Sequence, residues 1–331
     1  MDPLTHTATG LFLSRAGLNR LTPHATPILL LAANAPDIDI VASAGGALNY
    51  LHYHRHLTHS LIAMPLLAIL CILLVWAVTR ASIHWRGAFA AALVAVGSHL
   101  LLDWTNIYGI RLLLPFSGAW LRLDLTPVID PWIWGVALVG IAAPFVARLV
   151  TAEITSGHPR PARHGRGFAW FALSFLLLYN GGRAVLHARA VAMLDSRLYD
   201  GQAPTRVAAL PGFHPLVWRG LIETSQFYQI QDVDLMGYPD SARAMTFPKP
   251  PSDPDWEAAR RSSVFQTFLG FSQFPLWNEM PVSEPEGGQQ IEVVDLRFGT
   301  PLQPGFVATA LVDRRGAVVR ADFRFGTPRP R

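Results

Sequence analysis

The chain has 331 residues, of which 51% are hydrophobic and only 15% are charged, and its mean hydropathy is +0.28. This composition excludes a disordered chain and argues against an ordinary soluble domain, which favours an integral membrane protein. The net charge is +4, and almost all of the positive charges are arginines. This preference for arginine alone gives no reason to expect a nucleic-acid partner. The single cysteine, Cys71, excludes an intramolecular disulfide and a cysteine-based zinc site, so any metal must be held by histidine and carboxylate side chains.

Four apolar stretches approach the roughly 20 residues that a helix needs to cross a bilayer. They lie at residues 61–79, 87–102, 132–150 and 168–186. A fifth stretch, residues 26–43, is interrupted by Asn34, Pro36 and two aspartates, which is typical of a re-entrant or half-buried segment rather than a span. The first ten residues lack the features of a removable signal peptide, so membrane insertion is expected to use the internal spans.

Arginines in the short loops predict the orientation of these spans. Two of them lie between the first and second spans, at Arg80 and Arg86. Four more lie between the third and fourth spans, at Arg148, Arg160, Arg163 and Arg166. Because positive charge accumulates on the cytoplasmic side, both loops are expected there. The first 60 residues, the connection 103–131 and everything after about residue 187 are then expected on the outer face.

The sequence changes character after residue 190, where proline and glycine separate short strand-like runs. These runs occupy residues 218–234, 291–298, 306–312 and 317–325. We therefore predict a mainly α membrane domain over residues 1–190, with about four transmembrane helices and an N-terminal re-entrant or half-buried segment. A small soluble β-rich or α+β domain without a recognisable catalytic motif is predicted over residues 191–331.

His99 and Asp103 are the most informative pair of polar residues in the predicted membrane domain. A spacing of four residues on a helix puts both side chains on one face, about one turn apart, where a single cation can bridge them. The alternative is a hydrogen-bonded helical pair with no ligand. Ionisable groups within a membrane segment are usually functional, so a metal is favoured.

Four histidines crowd the segment just before the first span. His54 and His59 bracket Arg55, whose charge beside a helix N-terminus would favour a phosphate or another anion. The alternative is a basic interfacial segment that faces lipid headgroups. Four histidines are too many for one ion, so His52 and His56 are expected to be exposed or to support the ligands.

Two further aspartates, Asp37 and Asp39, lie in the interrupted apolar stretch. On an extended backbone they point to opposite sides, so that one enters a site while the other orients a ligand; the alternative is a polar loop. Asp130 is either part of the site or the N-cap of the third span. His6 alone is uninformative, because an N-terminal histidine is usually a surface residue.

The predicted topology gathers these residues at one membrane face. His59 precedes the first span, His99 and Asp103 end the second, and Asp130 begins the third. Independent structural roles would not require this arrangement. Imidazoles and carboxylates without thiolates suit Zn²⁺, with Mn²⁺ or Fe²⁺ as alternatives, and one to three ions are expected.

Four sequence elements within residues 1–190 carry a family resemblance. They are TH at 5–6, NAPDID at 34–39, HRHLTHS at 54–60, and HLLLD at 99–103 followed by NIYG at 106–109. Together they resemble the YdjM-like metal-dependent hydrolases of the bacterial inner membrane, some of which are described as LexA-binding. That family in turn resembles the zinc-dependent phospholipase C and single-strand nuclease superfamily, whose all-helical sites hold several zinc ions and cleave phosphodiesters.

The resemblance implies a bacterial inner-membrane protein with a metal site. The residues at the matching positions are His6, Asp37, His59, His99 and Asp103, with Asp39 and His54 as further candidates. With the loop orientation above, the site and the C-terminal domain would lie on the periplasmic face.

The leading hypothesis is a hydrolase that cleaves an ester or phosphodiester, in a small molecule or a membrane lipid headgroup, with a metal-activated water. Asp37 or Asp39 would be the general base, and Arg55 would hold the developing charge. Asn106 and Tyr108 are expected to contact the substrate. The alternative is a non-catalytic membrane protein, either a metal or proton transporter or an anchor whose C-terminal domain binds a partner.

Overall fold

The computed structural model describes residues 1–154, 164–237, 244–251 and 253–326. The chain divides into two compact units. The first comprises Met1–Asp39 and Arg55–Val185, and the second comprises Ile40–His54 and Leu186–Arg331. The domain boundary predicted at residue 190 lies inside a helix that contributes residues to both units.

Helices dominate the chain up to residue 195. They are α1 Pro3–Ala16, α2 Ala25–Ala32, α3 Ala47–Tyr53, α4 Ala63–Thr79, α5 Trp85–Thr105, α6 Pro131–Ile154 and α7 His164–Asp195. Two 3₁₀ segments are important for the site, Ala35–Gly45 after α2 and Leu57–His59 before α4. All four apolar stretches predicted as spans are therefore helical.

Small residues allow the helices of the first unit to pack closely around α5. The face of α5 that meets α2 and α4 carries four fully buried alanines, Ala88, Ala91, Ala92 and Ala95. A Cβ on Gly10 of α1 would lie 2.8 Å from the Cβ of Ala33, so α1 and α2 are also in close contact. Close backbone approach of this kind is how helices associate where no water drives them together.

Three helices, α5, α6 and α7, are long and apolar enough to cross a membrane, and two bent helix pairs raise the number to five. The first of these pairs is α2 with the 3₁₀ segment Ala35–Gly45, so the interruption predicted in residues 26–43 is observed. In the most apolar window only 17% of α6 and 22% of α7 is buried, against 50% of α5. An apolar helix that exposes most of its surface is suited to lipid contact.

The turn between α1 and α2 corrects one part of the predicted topology. The N–H of His84 donates to Thr22 Oγ1 at 2.9 Å, and Arg166 Nε donates to the carbonyl of Ala16 at 3.1 Å. Residues of this turn therefore lie beside the start of α5 and the start of α7, at the end where the arginine-rich loops are. The expectation that the whole of residues 1–60 lies at the opposite face is wrong for this turn.

The second unit contains two four-stranded antiparallel sheets, in the order β1-β2-β3-β4 and β10-β9-β6-β5, as well as a two-stranded sheet β7-β8. The strands are β1 Arg206–Pro211, β2 Val217–Glu223, β3 Phe227–Asp234, β4 Met245–Pro248, β5 Pro275–Val282, β6 Gly288–Asp295, β7 Gly299–Thr300, β8 Gln303–Pro304, β9 Phe306–Val312 and β10 Val318–Phe325. Two short helices, α8 Pro254–Arg260 and α9 Ser263–Phe271, contact the β10-β9-β6-β5 sheet. The predicted strand content of the C-terminal region is confirmed.

Candidate metal centre

Four side chains from three segments converge at one point in the first unit. Asp37 comes from the 3₁₀ segment after α2, His59 from the 3₁₀ turn before α4, and His99 and Asp103 from α5. One nitrogen or oxygen atom from each lies within 4.8 Å of all the others. His59, His99 and Asp103 are fully buried, whereas 21% of the Asp37 side chain is exposed. The cluster can therefore be reached from outside at Asp37.

The distances within the cluster match those between the ligands of a tetrahedral metal ion. His59 Nε2 lies 3.2 Å from both His99 Nε2 and Asp103 Oδ2, and His99 Nε2 lies 3.4 Å from Asp103 Oδ2. Asp37 Oδ1 lies 3.5 Å from His59 Nε2 and 3.6 Å from His99 Nε2. Around Zn²⁺, with bonds of about 2.0–2.1 Å, tetrahedral ligand atoms are about 3.3 Å apart. The two imidazoles and two carboxylates also suit Zn²⁺, Mn²⁺ or Fe²⁺ by chemical type.

Both histidines of the cluster are oriented through their other ring nitrogen. His99 Nδ1 lies 2.7 Å from the backbone oxygen of Ala33, just after α2. His59 Nδ1 lies 3.2 Å from Asp39 Oδ2 and 3.2 Å from Thr58 Oγ1. Metal-binding histidines are usually held in this way, with the second nitrogen on a carbonyl or a carboxylate. The contacts fix the ring planes so that both Nε2 atoms face the cluster.

His6 on α1 lies beside the cluster and adds a third imidazole. Its ring stacks on that of His99 with 3.7 Å between centroids, and His6 Nε2 lies 3.4 Å from Asp103 Oδ1. Among the described residues, both ring nitrogens of His6 and Asp103 Oδ2 are buried without a hydrogen-bond partner. A buried polar atom without a partner costs about 1–3 kcal/mol. Three such atoms at one point indicate a site built around a ligand.

Arg55 holds the other oxygen of Asp103. Arg55 Nη2 donates to Asp103 Oδ1 at 3.0 Å, and the α-amino group of Met1 also contacts this oxygen. Arg55 is buried and has a φ of 56°, in the left-handed region that is unfavourable for a residue with a side chain. Its N–H donates to Asp39 Oδ2 at 2.8 Å, which holds the backbone in place. The guanidinium thus compensates the charge of Asp103 and fixes the direction of Asp103 Oδ2.

The contacts of Asp39 and Arg55 differ from the catalytic roles that the sequence predicts. Asp39 Oδ2 accepts hydrogen bonds from the Arg55 N–H and, at 3.0 Å, from Thr58 Oγ1, and it also approaches His59. An oxygen with these partners is suited to orienting His59 rather than to removing a proton from water. Arg55 is bound to Asp103 in the same supporting manner. Both residues act on the cluster through one of its members.

Asn106 and Tyr108, which the sequence predicts as substrate contacts, both contact Arg55 in the structure. Asn106 Oδ1 accepts from Arg55 Nη1 at 3.0 Å and from the N–H of Tyr108 at 2.8 Å. The Tyr108 ring lies 4.8 Å from the guanidinium carbon of Arg55 and packs edge-on to Trp120. Both side chains are buried. They hold Arg55 in place, and a substrate contact through either side chain stays a prediction.

The remaining sequence candidates are His54, His52 and Asp130. His54 belongs to the second unit, where its ring stacks on Tyr50 with 4.5 Å between centroids. His52 is exposed, as expected. Asp130 Oδ1 accepts from the N–H groups of residues 132 and 133, and Asp130 Oδ2 accepts from Tyr179 Oη at 2.9 Å. Asp130 is therefore the N-cap of α6, which was the structural alternative.

Two groups that orient the histidines of the cluster were not predicted from the sequence. Thr58 donates to Asp39, and its position directly before His59 is the signal that could have identified it. The carbonyl of Ala33 orients His99, but a backbone oxygen on an alanine gives no sequence signal. Only the close packing of α2 on α5 brings it there.

Comparisons with known proteins agree with a membrane-embedded first unit. A family model described as YdjM inner membrane protein matches residues 1–190, a range that includes the whole cluster. The chain is also 25% identical over 321 residues to the uncharacterized protein YfhP of Bacillus subtilis (strain 168), covering 93% of this chain and 90% of that protein. No solved structure matches the chain.

Proposed function

The chain belongs to the YdjM inner membrane protein family, and from this premise we propose that it is an integral-membrane metal-dependent hydrolase. Its reaction would be the hydrolysis of an ester or phosphodiester. The observation that supports this most directly is the spacing of the four atoms from Asp37, His59, His99 and Asp103, which fits a tetrahedral ion. The unpaired nitrogens of His6 next to them offer a further ligand.

When bound, an ion in this cluster would supply Lewis acidity to the scissile bond and make a water acidic enough to attack near neutral pH. Asp37 is the exposed member of the cluster and therefore faces the side from which a substrate arrives. Asp39 and Arg55 are positioning residues, because they orient His59 and Asp103 respectively. His6 closes the buried side by stacking on His99.

The proposed location of the reaction is the outer, periplasmic face of the inner membrane, at headgroup depth. His6 and Arg15 are nine residues apart on α1, so they are separated by about 14 Å along its axis. Arg15 lies at the arginine-rich end of the unit, which the distribution of positive charge assigns to the cytoplasm. The cluster at the other end of α1 would then face outward, where lipid headgroups are available as substrates.

Metal content and turnover of the full-length protein in detergent test this proposal. The wild type is compared with the double variant His99→Ala, Asp103→Ala and with the control His52→Ala, which removes an exposed histidine outside the cluster. Elemental mass spectrometry is expected to find zinc, manganese or iron in the wild type and control but not in the double variant. Hydrolysis of bis(4-nitrophenyl) phosphate and of labelled phospholipid is expected for the proteins that contain metal, the wild type and the control, and not for the double variant.

Two results would contradict the proposal. Activity that survives in a metal-free, folded double variant would remove the cluster from the reaction. Stoichiometric metal without hydrolysis of any ester or phosphodiester would favour the non-catalytic alternative, in which buried histidine and aspartate carry an ion.

A further inference from the structure

The end of the first unit opposite the metal centre contains a second polar cavity, of about 200 Å³. It lies where the last turn of α1, the second half of α6 and the first turn of α7 meet. Four arginines line it together with an asparagine and a glycine, namely Arg15, Arg20, Arg148, Arg166, Asn19 and Gly165. The cavity is therefore a basic pocket that the proposed hydrolase reaction does not use.

Two of the four guanidinium groups are held in place by backbone carbonyls. Arg15 Nη1 donates to the carbonyl of Gly140 at 3.5 Å, and Arg166 Nε donates to the carbonyl of Ala16 at 3.1 Å. Arg15 is half-buried, with its guanidinium carbon 6.0 Å from the centre of the Phe145 ring. These side chains consequently have fixed directions, unlike arginines that extend freely towards lipid headgroups.

The pocket brings like charges together without an opposite charge to balance them. Within the described ranges, no lining residue is acidic, and no carboxylate lies within ion-pair distance of these four arginines. Repulsion between the half-buried Arg15 and the three exposed arginines around it is reduced when an anion lies between them. Arg20 and Arg148 are exposed, so an anion can enter from the side they occupy.

The chemistry of the pocket suits the phosphate group. Guanidinium groups bind phosphate oxygens in a planar, two-pronged arrangement that several arginines can share. Gly165 of α7 also lines the pocket, where the absence of a side chain leaves room for a ligand. We propose that this pocket binds a phosphate group, carried either by the headgroup of an anionic phospholipid or by a free phosphate.

Binding to the full-length protein in a neutral detergent tests the proposal. The probes are dihexanoyl phosphatidylglycerol, dihexanoyl phosphatidylcholine and inorganic phosphate, and the readouts are the dissociation constant and the rise in melting temperature. The variant Arg20→Gln, Arg148→Gln removes two exposed arginines of the pocket. Its matched control is Arg80→Gln, Arg86→Gln, which removes two exposed arginines of the α4–α5 loop outside the pocket.

Phosphatidylglycerol or phosphate is expected to bind the wild type and the control equally, and the pocket variant about tenfold or more weakly. Binding of phosphatidylglycerol alone identifies a headgroup site, and displacement by inorganic phosphate identifies a site for the free anion. Equal binding of phosphatidylcholine, equal weakening in both variants, or no binding of either anion would overturn the proposal. The single change Arg20→Glu gives a second test should the double variant be unstable.

Discussion

Asp103 and Asp295 are both fully buried carboxylates with an arginine partner, but their hydrogen bonding differs. Both oxygens of Asp295 accept hydrogen bonds from Arg297, with the shortest at 2.6 Å, and Asp295 Oδ2 also accepts from the N–H of Gln273. Asp103 shares only Oδ1 with Arg55, and its Oδ2 has no hydrogen-bond partner among the described residues. A buried charge that is fully paired is structural, whereas one that keeps a free oxygen is prepared for a ligand.

The largest expected effects come from replacing each of the two buried aspartates, Asp103 and Asp295, by asparagine. Asp295→Asn is expected to destabilise the folded protein by about 3–5 kcal/mol, because it leaves the guanidinium of Arg297 buried without its counter-charge. Asp103→Asn likewise leaves the buried Arg55 without its counter-charge, so it is expected to lose stability by a similar amount and, unlike Asp295→Asn, to lose metal binding as well. Thermal unfolding and elemental analysis of both variants check this. The contrast would be broken if Asp295→Asn lost metal at unchanged stability.

A smaller effect is expected at the contact that orients His59. Asp39→Asn weakens the interaction between Asp39 Oδ2 and His59 Nδ1 but leaves all four atoms of the cluster in place. Loss of such an orienting contact typically weakens metal affinity by about 10–100-fold without abolishing binding. Competition with a chromogenic chelator measures this change. Complete loss of metal would instead make Asp39 a direct ligand.

The smallest expected effect concerns Glu223, a paired carboxylate near the surface of the second unit. Burial alone would raise its pKa, but hydrogen bonds from Lys249 and Arg206 hold the pKa of Glu223 below its ordinary value. Such a group stabilises the folded state above the pKa of the unfolded chain, and this stabilisation is lost as the pH falls through the folded pKa. Glu223 should therefore contribute about 1 kcal/mol or less at pH 7, and progressively less as the pH falls through its folded pKa.

Unfolding of wild type and Glu223→Gln as a function of pH tests this expectation. The variant is expected to be slightly less stable at pH 7, and the difference should disappear in acid. A difference that stays constant with pH would mean that lost packing, rather than charge, explains the effect.

The sequence predicts those parts of the site that depend on local geometry. The spacing of His99 and Asp103 on one helix is sufficient to bring them together, because four residues is close to one turn. The strands of the second unit can also be predicted from the sequence, from the alternation of apolar and polar residues and from the turn residues between them. The directions of the Asp37 and Asp39 side chains are harder to predict, because they depend on whether the backbone is extended or helical. On the observed 3₁₀ segment, two residues that are two positions apart are rotated by about 240° around the helix axis. Asp37 therefore joins the four-atom cluster, whereas Asp39 contacts the other ring nitrogen of His59.

Features that depend on tertiary packing could not be predicted. Asn106 and Tyr108 follow Asp103 in sequence, but only the fold of the loop brings them to Arg55. Arg15 and Arg20 were expected on the face opposite the arginine-rich loops. In the structure both arginines lie beside Arg148 and Arg166. Gly17 ends α1 with a φ of 139°, and the chain turns there between α1 and α2.

The origin of the cluster in the first helices has a consequence for biosynthesis. The four cluster residues and His6 all lie within the first 103 residues, and α6, α7 and the β-rich unit contribute none of them. Chains are synthesised from the N-terminus, and early segments can associate before later ones exist. Every side chain of the candidate metal centre is therefore already made before α6, α7 and the β-rich unit are translated.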